Sequence, residues 1–183
     1  MSELTPTEHE LKTGERLIIR TAVPDDAETL LENTRIILAE GLFYIREADE
    51  FEMSIEEERE WIQKRLENPA QIIIVAEVGG SIVGMLNLKN RDRRKLAHVG
   101  SVGIMILPEF RNKGVGTALL KTAIYWAEEN PVIEKITLGV FATNETAIGL
   151  YEKMGFEQEG REIRAIKTAE GTYVDTILMY RFV

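Results

Sequence analysis

The spacing of apolar residues over the first third of the chain predicts one strand followed by two helices. The alternating run RLIIRTA predicts a strand over 16–22. After an acidic Pro-Asp-Asp turn, apolar residues recur at helical spacing until Gly41. A second helix is predicted from Ser54, which has a glutamate at capping-box spacing, to an Asn-Pro stop at 68–69. The stretch 42–53 has no clear period and is predicted to be a loop.

The middle of the chain carries three strand patterns. Residues 72–78 and 81–88 are apolar runs joined by two glycines, which is a strong signal for a β-hairpin. A polar, basic turn then leads to a third apolar run over 97–107. Gly100 and Gly103 interrupt that run and indicate a bulge or a close approach of two backbones.

The second half of the chain alternates helix and strand signals. The pattern predicts a helix from Thr117 to Asn130, a strand over 135–141, a helix over 144–154, and a final pair of strands turning at 169–172. These elements predict a hairpin-rich α/β (α+β) fold with one clear strand–helix–strand unit.

The sequence contains no internal repeat and no interdomain linker. The sequence therefore predicts one domain over 15–183, preceded by a flexible arm over 1–14 that is rich in Thr and Glu.

Composition and charge exclude several classes of function. Lys and Arg number 22 against 31 Asp and Glu, for a net charge of −9, which argues against a nucleic-acid partner and is compatible with a cationic substrate. The chain has no cysteine and two histidines, so disulfides, thiol nucleophiles and a His-rich metal site are not expected. The polar start and the lack of a long apolar run predict a cytoplasmic protein without a membrane partner.

The glycine-containing turn over 111–117 is the first candidate for chemistry. It lies between a predicted buried strand and an amphipathic helix, where free backbone amides and the helix dipole favour an anion. Arg111 and Lys113 add positive charge, so a diphosphate is the expected guest. A tight turn without a ligand remains an alternative. The dinucleotide fingerprint fits poorly because Leu119 stands where its third Gly or Ala belongs, and the triphosphate loop lacks Gly-Lys-Ser/Thr.

The second candidate is the helix that begins at Asn144, directly after a predicted strand. Asn144 is a good N-cap by residue type, and Gly155 is a helix stop. Tyr151 falls on the apolar face of this helix, where it could be only a packing aromatic with its hydroxyl at the rim.

These two motifs, in this order, resemble the GNAT superfamily of acetyl-CoA-dependent N-acetyltransferases. The residues that carry the resemblance are Arg111-x-x-Gly114-x-Gly116 and Asn144…Ala147-Ile148…Leu150-Tyr151…Gly155-Phe156. The order of elements over 15–183 also matches. The resemblance implies a single GNAT-like domain with a mixed, mostly antiparallel sheet of about seven strands, a parallel splayed central pair and about four flanking helices.

The resemblance also implies site residues. The pantetheine arm of acetyl-CoA would pair with the strand residues Ile104, Met105 and Ile106. The pyrophosphate would lie in the loop formed by Arg111, Asn112, Lys113, Gly114, Val115, Gly116 and Thr117. Asn144 would touch the cofactor, and Tyr151 would bind near the thioester and protonate the departing thiolate. A phenol with a pKa of about 10 can do so at neutral pH.

The implied reaction is direct attack of a primary amine on the thioester in a ternary complex, without a metal. Some relatives carry a glutamate base where this chain has Gly139, so the base is unassigned, with water-relayed transfer to Glu47, Glu40 or His98 as hypotheses.

The resemblance implies an acceptor pocket built mainly from the first two predicted helices, the loop that connects them and the last hairpin. Its candidate substrate residues are Phe43, Tyr44, Glu47, His98 and Tyr173. The acceptor itself stays open between a small amine, an amino acid, an aminoglycoside-like drug and a protein N-terminus. A homodimer is expected by analogy only. Rival functions are a CoA-binding regulatory domain without catalysis and a nucleotide-binding oxidoreductase.

Overall fold

The computed structural model describes residues 3–183, and its strands form a single sheet. The sheet has the order β1-β2-β3-β4-β5-β6-β8-β7. The strands are β1 Thr7–Glu10, β2 Arg16–Thr21, β3 Gln71–Val78, β4 Ser81–Asn90, β5 Val99–Ile106, β6 Lys135–Phe141, β7 Glu157–Lys167 and β8 Tyr173–Phe182. The helices are α1 Ala27–Leu38, α2 Ile55–Glu67, α3 Val115–Glu128 and α4 Glu145–Lys153.

The predicted fold class is confirmed, with one strand more than the seven expected. All neighbouring strands pair antiparallel except β5 and β6, which are parallel. The predicted hairpin at Gly79-Gly80 joins β3 to β4. The capping box at the start of α2 is present, since the Ser54 hydroxyl accepts from the Glu57 amide at 3.2 Å.

The additional strand lies in the segment for which the sequence predicted a flexible arm. Thr7–Glu10 pairs with β2 over four register positions, and Leu11 behind it is 3% exposed in the main core. All four residues of β1 are exposed, so the strand is held by its backbone ladder and leaves no hydrophobic alternation in the sequence. Residues 1 and 2 of the predicted arm lie outside the described residues.

The helices cover opposite faces of the sheet. The run Ile72–Val75 is buried throughout because its alternate residues face two clusters. Ile72 and Ile74 belong to the cluster that contains the core residues of α3, while Ile73 and Val75 belong to the cluster that contains those of α1 and α2. In residues 3–183, no helix is both long and apolar enough to cross a membrane.

The parallel strands β5 and β6 position the site because they are hydrogen-bonded only at their first residues. β5 and β6 are in register at Val99, Gly100 and Ser101, and no β6 partner follows for the rest of β5 in the described chain. On its other edge β5 remains paired with β4 as far as Ile106. The strands therefore part after Ser101, and a cleft opens between them.

Candidate active site

The cleft between β5 and β6 has a volume of about 1050 Å³. One wall is the free edge of β5 with the glycine turn that follows it. The other wall is the end of β6 with α4. The α1–α2 loop, residues 39–54, closes one end. A cleft of this size lies at the upper end of the range for small-molecule sites.

The glycine turn, residues 111–117, has the backbone that the sequence predicts. Asn112 and Gly114 have positive φ angles of 61° and 109°, and Gly114 is the N-cap of α3. A Cβ on Gly114 would meet no protein atom within 4 Å, so the side of the turn it would occupy is open. A Cβ on Gly116 would lie 3.1 Å from Leu150 and 3.2 Å from Ile106. Gly114 therefore allows the left-handed turn and keeps the adjacent space open for a ligand. Gly116 is required instead for close packing against Leu150 and Ile106.

The amides of this turn form the chemically distinctive part of the cleft. Within residues 3–183, the amides of 112–117 donate to no backbone carbonyl. Such free donors at the start of a 14-residue helix, next to open space, fit the phosphates of a nucleotide-containing carrier such as CoA.

The two cations predicted to assist these amides are engaged elsewhere. The Arg111 guanidinium donates to the Ile106 carbonyl at 3.0 Å and forms a bidentate pair with the Glu40 carboxylate, one bond being 3.0 Å. Lys113 does not line the cleft, and its ammonium lies over the Phe110 ring at 5.1 Å. The Arg111–Glu40 ion pair thus links the glycine turn to the α1–α2 loop.

Asn144 and Tyr151 lie on the opposite wall. The Asn144 side-chain oxygen accepts from the Ala147 amide at 3.2 Å and caps α4, as its residue type predicts, while the residue also lines the cleft. Tyr151 is only 6% exposed and packs on Phe156 with a centroid distance of 5.9 Å.

Burial sets the protonation of Tyr151. Desolvation first, and then the nearby Tyr44 phenol, raises the pKa of Tyr151 to about 12. The Tyr151 hydroxyl therefore keeps its proton throughout the neutral range. Burial also raises the pKa of Tyr44, an effect opposed by Arg111 and increased by Glu40.

Consecutive residues of the α1–α2 loop contact the two parted strands. The Phe43 ring meets the Phe141 ring of β6 edge-on at 6.4 Å, and the Tyr44 hydroxyl donates a long hydrogen bond of 3.5 Å to the Ile104 carbonyl of β5. Arg46 stacks on Phe51 at 5.5 Å from the ring centroid. The loop therefore supplies an aromatic end to the cleft.

Most of the residues predicted to bind the cofactor are brought together here. The lining includes Ile104, Met105, Ile106, Arg111, Asn112, Gly114, Gly116, Thr117, Asn144 and Tyr151. Val115 is fully buried in the core beneath the turn and does not line the cleft. Its side chain anchors the turn, and only its backbone amide is left free.

Only some of the predicted acceptor residues lie at the cleft. Phe43 and Tyr44 line the cleft, but Glu47, His98 and Tyr173 do not. His98 precedes the paired end of β5, where its carbonyl accepts from the Glu134 amide at 2.9 Å. Glu47 is exposed at the start of a 3-10 turn, and Tyr173 is half exposed beside Arg164 on the last hairpin. The structure places these three positions outside the cleft, and their role in acceptor binding stays a prediction.

Sequence reasoning missed Lys12 and Asn87, both of which line the cleft. Lys12 lies in the segment predicted to be a flexible arm, and no motif surrounds it. Asn87 occupies a strand whose apolar pattern gave no reason to single it out. Within residues 3–183, no group of three or more His, Asp or Glu side chains is arranged to hold a metal ion.

A sequence model of the acetyltransferase (GNAT) family matches residues 39–156. This range contains the parted strands, the glycine turn and Tyr151. The protein is therefore an acyltransferase. It belongs to the GNAT family, and the resemblance noted in the sequence is confirmed.

Individual relatives agree with this assignment. The chain is 32% identical over 121 residues to the L-amino acid N-acetyltransferase AaaT of Escherichia coli, covering 66% of this chain and 74% of the relative. It is 30% identical over 162 residues to an N-alpha-acetyltransferase of Sulfurisphaera tokodaii, covering 81% and 85%. A solved GNAT-family acetyltransferase from Streptococcus pneumoniae superposes with a TM-score of 0.88 at 31% identity, covering 91% and 99% of the two chains. Named acetyltransferases among the relatives disfavour the regulatory domain without catalysis.

Proposed function

We propose that this protein transfers the acetyl group of acetyl-CoA to a primary amine by direct attack in a ternary complex. The observation that carries the proposal is the parted pair of strands, with free amides of the glycine turn on one wall and the protonated Tyr151 phenol on the other. In this arrangement the amides of 112–117 hold the diphosphate. The Ile104 and Ile106 carbonyls already accept from Tyr44 and Arg111, so the pantetheine arm pairs with the remaining backbone groups of this edge of β5.

The acceptor we propose is the α-amine of an amino acid or of a peptide N-terminus. The names of two relatives, an L-amino acid N-acetyltransferase and an N-alpha-acetyltransferase, support this class. The net charge of −9 favours the approach of a cationic amine. Phe43 and Tyr44 would form the wall against which the acceptor side chain packs.

Acetyl-CoA supplies the acetyl group as a thioester. The amine nitrogen bonds to the carbonyl carbon, and the bond from that carbon to sulfur breaks. The attacking nitrogen releases its extra proton to water, the Tyr151 hydroxyl donates its proton to the departing sulfur, and Tyr151 is then reprotonated from solvent. Because the chain has no cysteine, the acetyl group cannot pass through a cysteine thioester on the protein.

The acceptor must lose a proton before it attacks. Of the three candidate bases only Glu40 lines the cleft, and both of its oxygens are bonded to Arg111. At Gly139 a Cβ would lie 3.1 Å from the Thr176 methyl group, and this residue provides no base. We therefore propose that the proton leaves to water in the open cleft.

The pH dependence tests this route. The acidic limb of kcat/KM should follow the pKa of the acceptor amine, about 8 for a peptide α-amine and about 10 for a lysine-type amine. A limb that stays at one pH for both acceptors would point to a base on the protein. Since the pKa of Tyr151 is about 12, its proton should produce no alkaline limb below pH 10.

The test of the function is an acceptor screen that measures CoA thiol release, which is free of protein background because the chain has no cysteine. Amino acids, N-terminal peptides and polyamines are compared at saturating acetyl-CoA. We expect turnover with an α-amine acceptor and intersecting double-reciprocal plots. Parallel plots would contradict direct attack, and CoA binding without turnover of any amine would revive the regulatory alternative. The homodimer and the cytoplasmic location stay predictions.

A further inference from the structure

Lys12, which is far from the glycine turn in the sequence, forms two hydrogen bonds with it. The Lys12 amide donates to the Lys113 carbonyl at 3.1 Å, and the Lys12 ammonium donates to the Asn112 carbonyl at 3.2 Å. The ammonium contact joins residues 100 positions apart, and Lys12 also lines the cleft.

The geometry of the peptide group gives these contacts a consequence. In a trans peptide the carbonyl and the amide of the same plane point in opposite directions, and no cis peptide occurs in residues 3–183. Lys12 holds the carbonyls of two consecutive planes. The amides of the same planes, those of Lys113 and Gly114, are therefore directed away from Lys12 and are left free for a ligand.

The positive charge of Lys12 also favours binding of an anion by these amides. A cation on a carbonyl oxygen polarises the peptide and makes its N–H a stronger donor. Arg111 is neutralised by Glu40, and the Lys113 ammonium lies over the Phe110 ring, so neither of the cations adjacent in sequence takes this place. Leu11, buried in the core, fixes the backbone that presents Lys12.

We propose that Lys12 is a positioning residue for diphosphate binding, which it supports by orienting and polarising the two peptide groups of the glycine turn. The inference rests on the proposed use of acetyl-CoA. It assigns the N-terminal arm, through the turn that follows β1, to the cofactor site.

The test compares Lys12→Met and Lys12→Arg with the wild type, using calorimetry with CoA and with 3′-dephospho-CoA. Any non-proline variant keeps the backbone bond to Lys113, so Lys12→Met removes the ammonium alone. We expect the Kd of both ligands to rise by about 3- to 10-fold in Lys12→Met, and Lys12→Arg to restore most of the affinity. Lys121→Met, on the exposed side of α3, is the matched control and should bind as the wild type does.

Two further readouts separate positioning from a general loss of structure. The dependence of Kd on salt should be weaker in Lys12→Met because a screened charge has been removed. The kcat/KM for acetyl-pantetheine, which lacks every phosphate, should not change. An unchanged Kd in Lys12→Met, a loss confined to CoA but absent with 3′-dephospho-CoA, or an equal loss with acetyl-pantetheine would each overturn the inference. Failure of the wild type to bind CoA would instead overturn the proposed function.

Discussion

The two ends of the cleft present different chemical groups to a ligand. The end at the glycine turn offers backbone: the free edge of β5 and the unpaired amides of 112–117. The end at the α1–α2 loop offers side chains, chiefly the aromatic rings of Phe43, Tyr44 and Phe51. Backbone donors have the same chemistry whatever the residue, so they suit a constant ligand. Side chains vary with the sequence, so they suit the acceptor that distinguishes one relative from another.

The largest effect is expected at Tyr151, on the α4 wall of the cleft. Tyr151→Phe removes the proton donor and keeps the packing on Phe156, so kcat should fall by about 10²- to 10⁴-fold while the Kd for CoA stays the same. Steady-state kinetics and calorimetry measure the two quantities. The control is Tyr125→Phe, at a position 61% exposed on α3. A kcat within about twofold of wild type would remove Tyr151 from the chemistry.

The next effect concerns the backbone end. Gly114→Ala strains a residue with φ of 109° and places a methyl group in the open cradle, so the Kd for CoA should rise by about 10-fold or more. The strain should also lower the free energy of unfolding by about 1–2 kcal/mol. Calorimetry and urea denaturation measure both effects.

Gly171→Ala separates strain from binding. Gly171 has φ of 82°, a Cβ there would meet no protein atom within 4 Å, and the residue lies in the turn of the last hairpin outside the cleft. The variant should lose similar stability and keep CoA affinity. Equal losses of affinity in the two variants would mean that the cradle has no special role.

A smaller effect is expected at the side-chain end. Phe43→Ala removes the edge-on contact with Phe141, so kcat/KM for the acceptor should fall by about 2- to 10-fold, with no change in the Kd for CoA. Kinetics at varied acceptor concentration measure the change, and Phe182→Ala, 68% exposed on β8, is the control. A loss of CoA affinity in Phe43→Ala would erase the distinction between the two ends.

The smallest effect is expected at Lys113, which the sequence singled out for its charge. Its ammonium lies over Phe110 and outside the cleft, so Lys113→Ala should change the Kd for CoA by about twofold or less. Calorimetry at low salt is the sensitive measurement. A tenfold loss would restore the sequence-based role of this lysine and weaken the comparison.

The sequence could predict what local patterns encode. The hairpin at Gly79-Gly80, the capping box at Ser54 and the strand–turn–helix around Gly114 each need only neighbouring residues, and each is present. The polar strand Thr7–Glu10 could not be predicted because it is stabilised by pairing with β2 and buries no side chain.

The partners of charged groups were also beyond the sequence. Arg111 pairs with Glu40 across 71 positions, and Lys12 reaches Asn112 across 100. Nothing in the local pattern of either cation indicates such a partner, since the fold alone brings them together. The same reason applies to His98, which precedes the paired end of β5 and lies outside the cleft.

The most direct test of the central claim is an amide NMR titration of the wild-type protein with CoA. We predict that the largest chemical-shift changes occur at the amides of 112–117 and of Ile104–Ile106, with small changes in the α1–α2 loop. Absence of binding, or saturable binding that leaves the amides of 112–117 unshifted, would contradict it.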